Sequence, residues 1–569
     1  MNGKKSLFIR FKNKRQKYMR RSFVFSLGFL LFFSFICTKS LVAEQIPVFP
    51  GAEGAGVFTN GGRGGKVLKV TRLDDPNTIN PPVGSLRWAL TQSGPRIVVF
   101  AVGGTIELRG SIKIREPFIT IAGQTAPGDG VTIRNDPVII QTHDIVIRYL
   151  RFRLGEIGTT SADDGDALTI AGPTDENLND SRRRTYNIVI DHCSFSWGTD
   201  ETVSSYNKSG NIRKHEYRTQ NITFSWNIIA EPLACSSLRQ HSECQADTIG
   251  HSTALYFGLN HDNITIHHNL IAHSARRNPL IEDGHFEVIN NLIFDAKEIL
   301  YITRARSSIQ TVSDPTILNY IGNMALSVGQ TRMVLISPNK CEDGNCAGDV
   351  GNLDHKIYVR DNIGPVRTNS EMDEWKCVTN DWGNRHDADK KWQASSAYVW
   401  SDSANHYPVT IQDHRSANHD IFNDAGASIK RDVVDQRIVA EVRDCYDNGN
   451  CIQRIIDSPS FDSSRRHLSR DDYSKFSITA TPNDIAEDGY PVLKSGVAPM
   501  DSDNDGMPDE WEAQNGLNPK YDDSASNNFH QIYTNIEFYI NLIVENFHKN
   551  KDGSKTKLSP PKSFRPKNF

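Results

Sequence analysis

DNITIHHNLI, residues 262–271, alternates apolar and polar side chains as a strand does, breaks at Asn269, and takes a second short apolar step. The same phrase recurs as YNIVIDHCSF (186–195), QNITFSWNII (220–229), HFEVINNLIF (285–294), PTILNYIGNM (315–324) and HKIYVRDNIG (355–364). Superposed, the six copies put Cys193, Asn227, Asn269, Asn291, Asn323 and Asn362 at one position, at intervals of 34, 42, 22, 32 and 39 residues. The shortest interval is one turn of a solenoid, and the excess elsewhere is loop. Short strands repeating in this way fit a parallel β-helix, in which each rung stacks on the last and insertions leave on one side. An Asn at the same bend of every rung can donate its amide to the Asn of the next, satisfying turn backbone and side chain together, so the column reads as structural. A β-sandwich also has short strands, but its turns come every ~8–12 residues and give no reason for one Asn per repeat.

The flanking regions bound the rest. The chain has 569 residues, 38% of them hydrophobic, enough for a large core, and a net charge of −4 that argues against a nucleic-acid partner. Residues 1–43 read as an export signal: a basic stretch from Lys4 to Arg21, an apolar run over 22–36 too short for a stable span, and Leu41-Val42-Ala43 as a cleavage site. A secreted or periplasmic protein with no membrane span after signal removal is expected. Cys37 follows Ile36 where lipidation requires a small residue. In an oxidising compartment the close pairs of Cys235 with Cys244, Cys341 with Cys346 and Cys445 with Cys451 read as disulfides, while Cys193 and Cys377 lack near neighbours. The expected organisation is a β-helix over 44–365, a loop-rich extension over 366–497 with a helix near 433–442, a calcium-loop segment over 498–547 with a helix near 535–546, and a basic disordered tail over 548–569.

DSDNDGMPDEWE, residues 501–512, meets the demands of a twelve-residue calcium loop. Asp501, Asp503 and Asp505 fall at positions 1, 3 and 5, Gly506 at the turn, Met507 offers its carbonyl, Asp509 is at position 9 and Glu512 at 12. Standing alone and far along the chain from the repeats, it reads as a structural clip. Within the repeats, Asp164 and Asp166 open one strand, and Asp200 and Glu201 follow DHCSFSWG one repeat later. Stacked rungs would bring these acids to one point, where they repel one another unless a cation neutralises them, and hard oxygen ligands favour calcium. Arg276 and Arg277, two repeats on, suit a substrate that is itself a carboxylate.

FPGAEGAG, GGRGGKV, GSLRWAL, ITIAGQTAPGDG, VIRYLRFRLG, IDHCSFSWGTDE, HHNLIAHSARRNP and NNLIF, in that order, resemble the pectate lyases of polysaccharide lyase family 1, in the secreted bacterial type that also carries DxDxDGMPDxWE near its end. The resemblance runs over about 47–330 and again over 498–545. It implies a right-handed parallel β-helix that cleaves de-esterified homogalacturonan, or a similar acidic plant or algal polysaccharide, by calcium-assisted β-elimination as a monomer. Carried over by position, Asp164, Asp166 and Asp200 resemble the family's calcium ligands and Arg277 its catalytic arginine. Four positions depart from the pattern. Ser204 stands where many members have a further Asp, leaving Glu201 to serve; His251 falls nearest the substrate-binding lysine; and Leu280 and Glu282 replace arginines. A β-helix hydrolase would instead need acids with room for water and no arginine, and the lost cations would also suit a non-catalytic uronan binder.

Overall fold

The computed structural model describes residues 46–551, apart from 156–164, 175, 178, 208–216, 234–251, 305–314, 327–332, 342–353, 381–389, 400–405, 452–483 and 487–488. The export signal and most of the basic tail therefore lie outside the described residues.

Each repeat lays down three strands in turn, one in each of three parallel sheets. After Tyr186–Asp191 in the first sheet come Ser194–Ser196 in the second and Glu201–Tyr206 in the third, and the chain returns to the first at Thr219–Ser225. Among the described residues the sheets hold ten, eight and nine strands, and every neighbour is the strand one turn away. Register repeats with the turn: Ile188 pairs with Ile222, Ile222 with Ile264, Ile264 with Phe286, Phe286 with Leu318 and Leu318 with Ile357. Inward side chains of the three sheets form one column of buried Ile, Leu, Val and Phe. The protein is a right-handed parallel β-helix, the hand that strand-to-parallel-strand connections almost always take.

The predicted Asn column forms the corner between first and second sheets. Asn227 donates its Nδ2 to Asn269 Oδ1 at 2.9 Å, Asn269 to Asn291 at 2.9 Å, Asn291 to Asn323 at 3.0 Å and Asn323 to Asn362 at 3.0 Å, and each backbone amide donates to the same oxygen. Cys193 ends it, its amide donating to Asn227 Oδ1 at 2.8 Å. The residue before each ladder position (His192, Trp226, His268, Asn290, Gly322 and Asp361) has a φ between 51° and 66°, and this left-handed step makes the corner. A second column, Asn187, Asn221 and Asn263, stacks in the first sheet and has no counterpart in the sequence reading.

Five helices are described: α1 (Leu86–Thr91), α2 (His414–Asp424), α3 (Val433–Asn448), α4 (Asp509–Asn515) and α5 (Asn535–Lys551). The helices expected near 433–442 and 535–546 are α3 and α5, each longer than its apolar pattern. Helices α2 and α3 bury Ile421, Phe422, Val434, Ile438 and Val442 against Ile228, Leu270, Leu292 and Phe294 of the second sheet. Buried ion pairs fix α3 there. Arg153 meets Asp432 at 2.7 Å and Asp435 at 2.9 Å, Arg437 meets Glu231 at 2.7 Å, and His273 lies between Asp295 at 2.8 Å and Glu441 at 2.9 Å. Met507, Trp511, Ile536, Phe538 and Ile540 from α4, α5 and the loop before α4 pack on Ile97, Val99 and Ala122 of the first sheet. The calcium-loop segment, distant along the chain, thus sits on the opening rungs.

Of the three expected disulfides the structure describes one. Cys445 and Cys451 are bonded, as their spacing predicts, and Cys193 and Cys377 are buried free thiols. The expected bond of Cys235 with Cys244 joins two residues that both lie outside the described ones. The expected bond of Cys341 with Cys346 falls outside as well, since Cys346 is not described and Cys341 is described only as the backbone end of a strand. No described helix is long and apolar enough to cross a membrane.

Candidate active site

The third sheet carries the acids. Asp166 leads into Leu168–Ala171, Asp200 and Glu201 open the strand above, Thr253 begins the next, and Arg276 is bridged to Thr253 one rung further on. Backbone bonds hold these mouths together: Asp200 N donates to Gly165 O at 3.2 Å, Thr253 Oγ1 to Asp200 O at 2.7 Å and Leu255 N to Arg277 O at 2.8 Å. Because successive rungs start at the same height, residues far apart in sequence stack as neighbours.

Asp166, Asp200 and Glu201 each direct a carboxylate oxygen into a volume in which all three atoms lie within 4.8 Å of one another. Asp166 and Glu201 are buried and Asp200 half-buried. One Asp166 oxygen accepts from the Glu201 amide at 3.1 Å, the other from Ser204 Oγ and from Thr169 Oγ1 at 3.0 Å. Burial and the nearby Asp200 carboxylate push Asp166 up to about 7, against the opposing pull of those hydroxyls and of Arg277. Such a cluster calls for positive charge.

Arg277 supplies part of it. Its buried guanidinium is ion-paired with Glu201, and its Cζ lies 5.6 Å from the centroid of the Tyr256 ring, whose hydroxyl donates to Glu282 Oε1 at 3.0 Å. Arg277 itself has a φ of 59°, so the chain turns sharply there and sends the two adjacent arginines apart. Arg276 stays partly exposed, 3.9 Å from Glu298. The structure therefore brings together Asp166, Asp200, Glu201 and Arg277 and leaves Arg276 at the rim. Asp164 and His251 lie outside the described residues.

The sequence reading misses two contributors. Ser204 counts there only as an absent acid, yet it orients Asp166, and Tyr256 stands in no motif. The register ties them, since Thr169 pairs with Ser204, Ser204 with Tyr256 and Tyr256 with Leu280, so all four stand in one column of the third sheet.

In the C-terminal loop, Asp501, Asp503 and Asp505 form one group of converging oxygens, and Asp505, Glu512 and Asp523 another. Burial, followed by neighbouring carboxylates, pushes Glu512 up to about 8, and burial lifts Asp505 to about 7. Lys69 of the first sheet reaches Asp501 at 2.9 Å. Asp509 instead accepts from Ser502 N at 2.7 Å and Ser502 Oγ at 2.6 Å, and the Met507 amide donates to Asp505 at 2.9 Å.

Relatives of known name share this chain almost end to end. A probable pectate lyase C of Aspergillus terreus is 30% identical over 503 residues, covering 87% of this chain and 94% of its own. A protein of the same description from Aspergillus flavus is 29% identical over 525 residues, covering 89% and 95%. Among solved structures, the cedar pollen allergen jun a 1 aligns with a TM-score of 0.43 and 17% identity, over 66% of this chain and 92% of its own. No protein-family model matches the chain. A parallel β-helix with these relatives is a polysaccharide lyase. The chain belongs to the pectate lyases.

Proposed function

We propose that the protein is a secreted, calcium-dependent pectate lyase that acts as a monomer on de-esterified homogalacturonan and cuts it by β-elimination to 4,5-unsaturated oligogalacturonates. The observation that carries the reading is the meeting of three carboxylates and one buried arginine at a single edge of the third sheet. That donor set, all hard oxygen and with one member already forced towards protonation, suits calcium. Asp166, Asp200 and Glu201 would hold the ion, joined by Asp164 from the segment before Asp166. Bound there, calcium supplies charge that offsets the repulsion between the protein's acids and a uronate carboxylate and acidifies the proton α to it.

The chain's own groups do the remainder. Ser204 and Thr169 fix the Asp166 carboxylate, so one oxygen stays turned towards the cluster. Arg277, held over Tyr256, meets the C5 proton and the negative charge left when it departs; its planar fork suits that charge and the adjacent carboxylate. The pair of electrons from the C5–H bond forms the C4–C5 double bond as the C4–O4 bond breaks. The electrons of that bond leave with O4, which takes up a proton in place of the one lost from C5, and no water is consumed. Arg276 at the rim meets the approaching polyanion, and His251 takes the substrate-binding role that its place in the sequence suggests. The C-terminal acidic loop serves stability.

The experiment is direct. Purified protein with polygalacturonate and calcium should develop the ultraviolet absorbance of a conjugated unsaturated uronate. New reducing ends without that absorbance would mean hydrolysis, and binding with neither would mean a non-catalytic module.

A further inference from the structure

We infer that the C-terminal segment holds a cation through a ligand set that the loop alone does not contain: Asp501, Asp503, Asp505, Glu512 and, from beyond the twelve-residue loop, Asp523. Asp505 is common to both groups of converging oxygens, so the two groups are halves of one site. Glu512 is fully buried, and neither of its carboxylate oxygens has a hydrogen-bond partner. The second oxygens of Asp503 and Asp505 are likewise buried and unpartnered. Burying carboxylate oxygens without donors is strongly unfavourable unless a cation takes them up. Other deeply buried acids of the chain, such as Asp191, Asp432 and Glu441, meet Arg or His partners, so this concentration of unmet acceptors marks a metal.

Asp523 takes the place that position 9 holds in the simple loop. The Asp509 carboxylate is spent on Ser502, whereas Asp523 faces Glu512 and Asp505. Its neighbour Asp522 turns away to Ser524 Oγ at 2.6 Å. Asp523 is also tied to the start of α5: Asn535 Nδ2 donates to its carbonyl at 3.0 Å and its Oδ1 at 3.1 Å. A cation there would join the loop before α4, Glu512 of α4 and the turn leading into α5, and so hold both helices on the opening rungs.

The test uses the mature chain with Asp166→Asn and Asp200→Asn, which removes the other acidic cluster, so the result is independent of the lyase reading. Calorimetric titration of this background with calcium should show one site, and calcium should raise its melting temperature. Asp523→Asn and Asp505→Asn should each weaken binding by about tenfold or more and abolish the thermal rise, while Asp509→Asn should change affinity less than about threefold. Asn at 523 keeps the contact with Asn535, so loss of binding would not reflect a lost hydrogen bond. Loss of binding in Asp509→Asn with full binding in Asp523→Asn would overturn the inference, as would a background that binds no calcium.

Discussion

The buried guanidinium of Arg277 is ion-paired with the buried carboxylate of Glu201, so the residue assigned to the chemistry is bound directly to a residue assigned to the cation. Arg277→Lys keeps the charge but loses the fork. Turnover should fall by roughly 10²- to 10⁴-fold with the Michaelis constant little changed, and a loss under about tenfold would take Arg277 out of the reaction.

Neutralising the partner reads the other side of the pair. Glu201→Gln and Asp200→Asn should each raise the calcium concentration needed for half-maximal rate, and a chelator should abolish activity of the unmodified protein. Full rate in chelator would end the case for a cation at this edge.

Ser204→Ala leaves the acids in place but removes one of the two hydroxyl donors to one oxygen of Asp166. Calcium dependence should shift several-fold while melting temperature moves little, because one hydrogen bond is worth about 1–2 kcal/mol. An unchanged calcium titration would reduce Ser204 to a space-filler.

Asn291 sits inside the ladder, with its side chain donating to Ile266 O at 2.9 Å and Asn323 Oδ1 at 3.0 Å and accepting from Asn269. Asn291→Ala strands several buried groups at once and should cost about 3 kcal/mol or more in denaturant unfolding. A cost under about 1 kcal/mol would mean the column is ornament.

His273 provides the pH test. Burial pulls its imidazolium down, but hydrogen bonds and charge from Asp295 and Glu441 outweigh that and raise the ring above its ordinary value. A raised folded value gives stability that is fully present below the unfolded value, about 6.5, and is lost as pH rises through the folded one. Beside it Arg437 pairs with both Glu231 and Glu441. His273→Gln should therefore lower the melting temperature more at about pH 5.5 than at about pH 9. Equal losses at both would show a neutral ring.

The ladder was legible because one residue type answers two demands, the bend and the neighbouring rung, and so repeats visibly whatever the loop lengths between. Asp166, Asp200, Glu201 and Arg277 were legible because each stands beside a strand start in a motif. Ser204 and Tyr256 were not, since only the pairing of Thr169, Ser204 and Tyr256 across unequal loops makes them neighbours. Asp523 had no spacing to announce it. Helix α2 was hidden for another reason: its boundary rests on Asp413 capping Arg415 and Ser416, and its stability on docking to the second sheet.

The first described residues lie across the rungs like a batten on planks. Val48, Phe49 and Val57 pack on Val146 and Val189, the Ala55 amide donates to Thr265, and Gly54–Ala55 pairs with His406–Tyr407, so one short stretch touches several rungs at once. A stack held by neighbour contacts alone would fray inward from either end, one layer at a time. Fastened lengthwise, the middle layers open together or stay closed together. The batten arrives first from the ribosome and His406–Tyr407 long after, so the newly made stack waits for its fastening, and amide exchange in the central rungs should be released in a single step when the strip is detached.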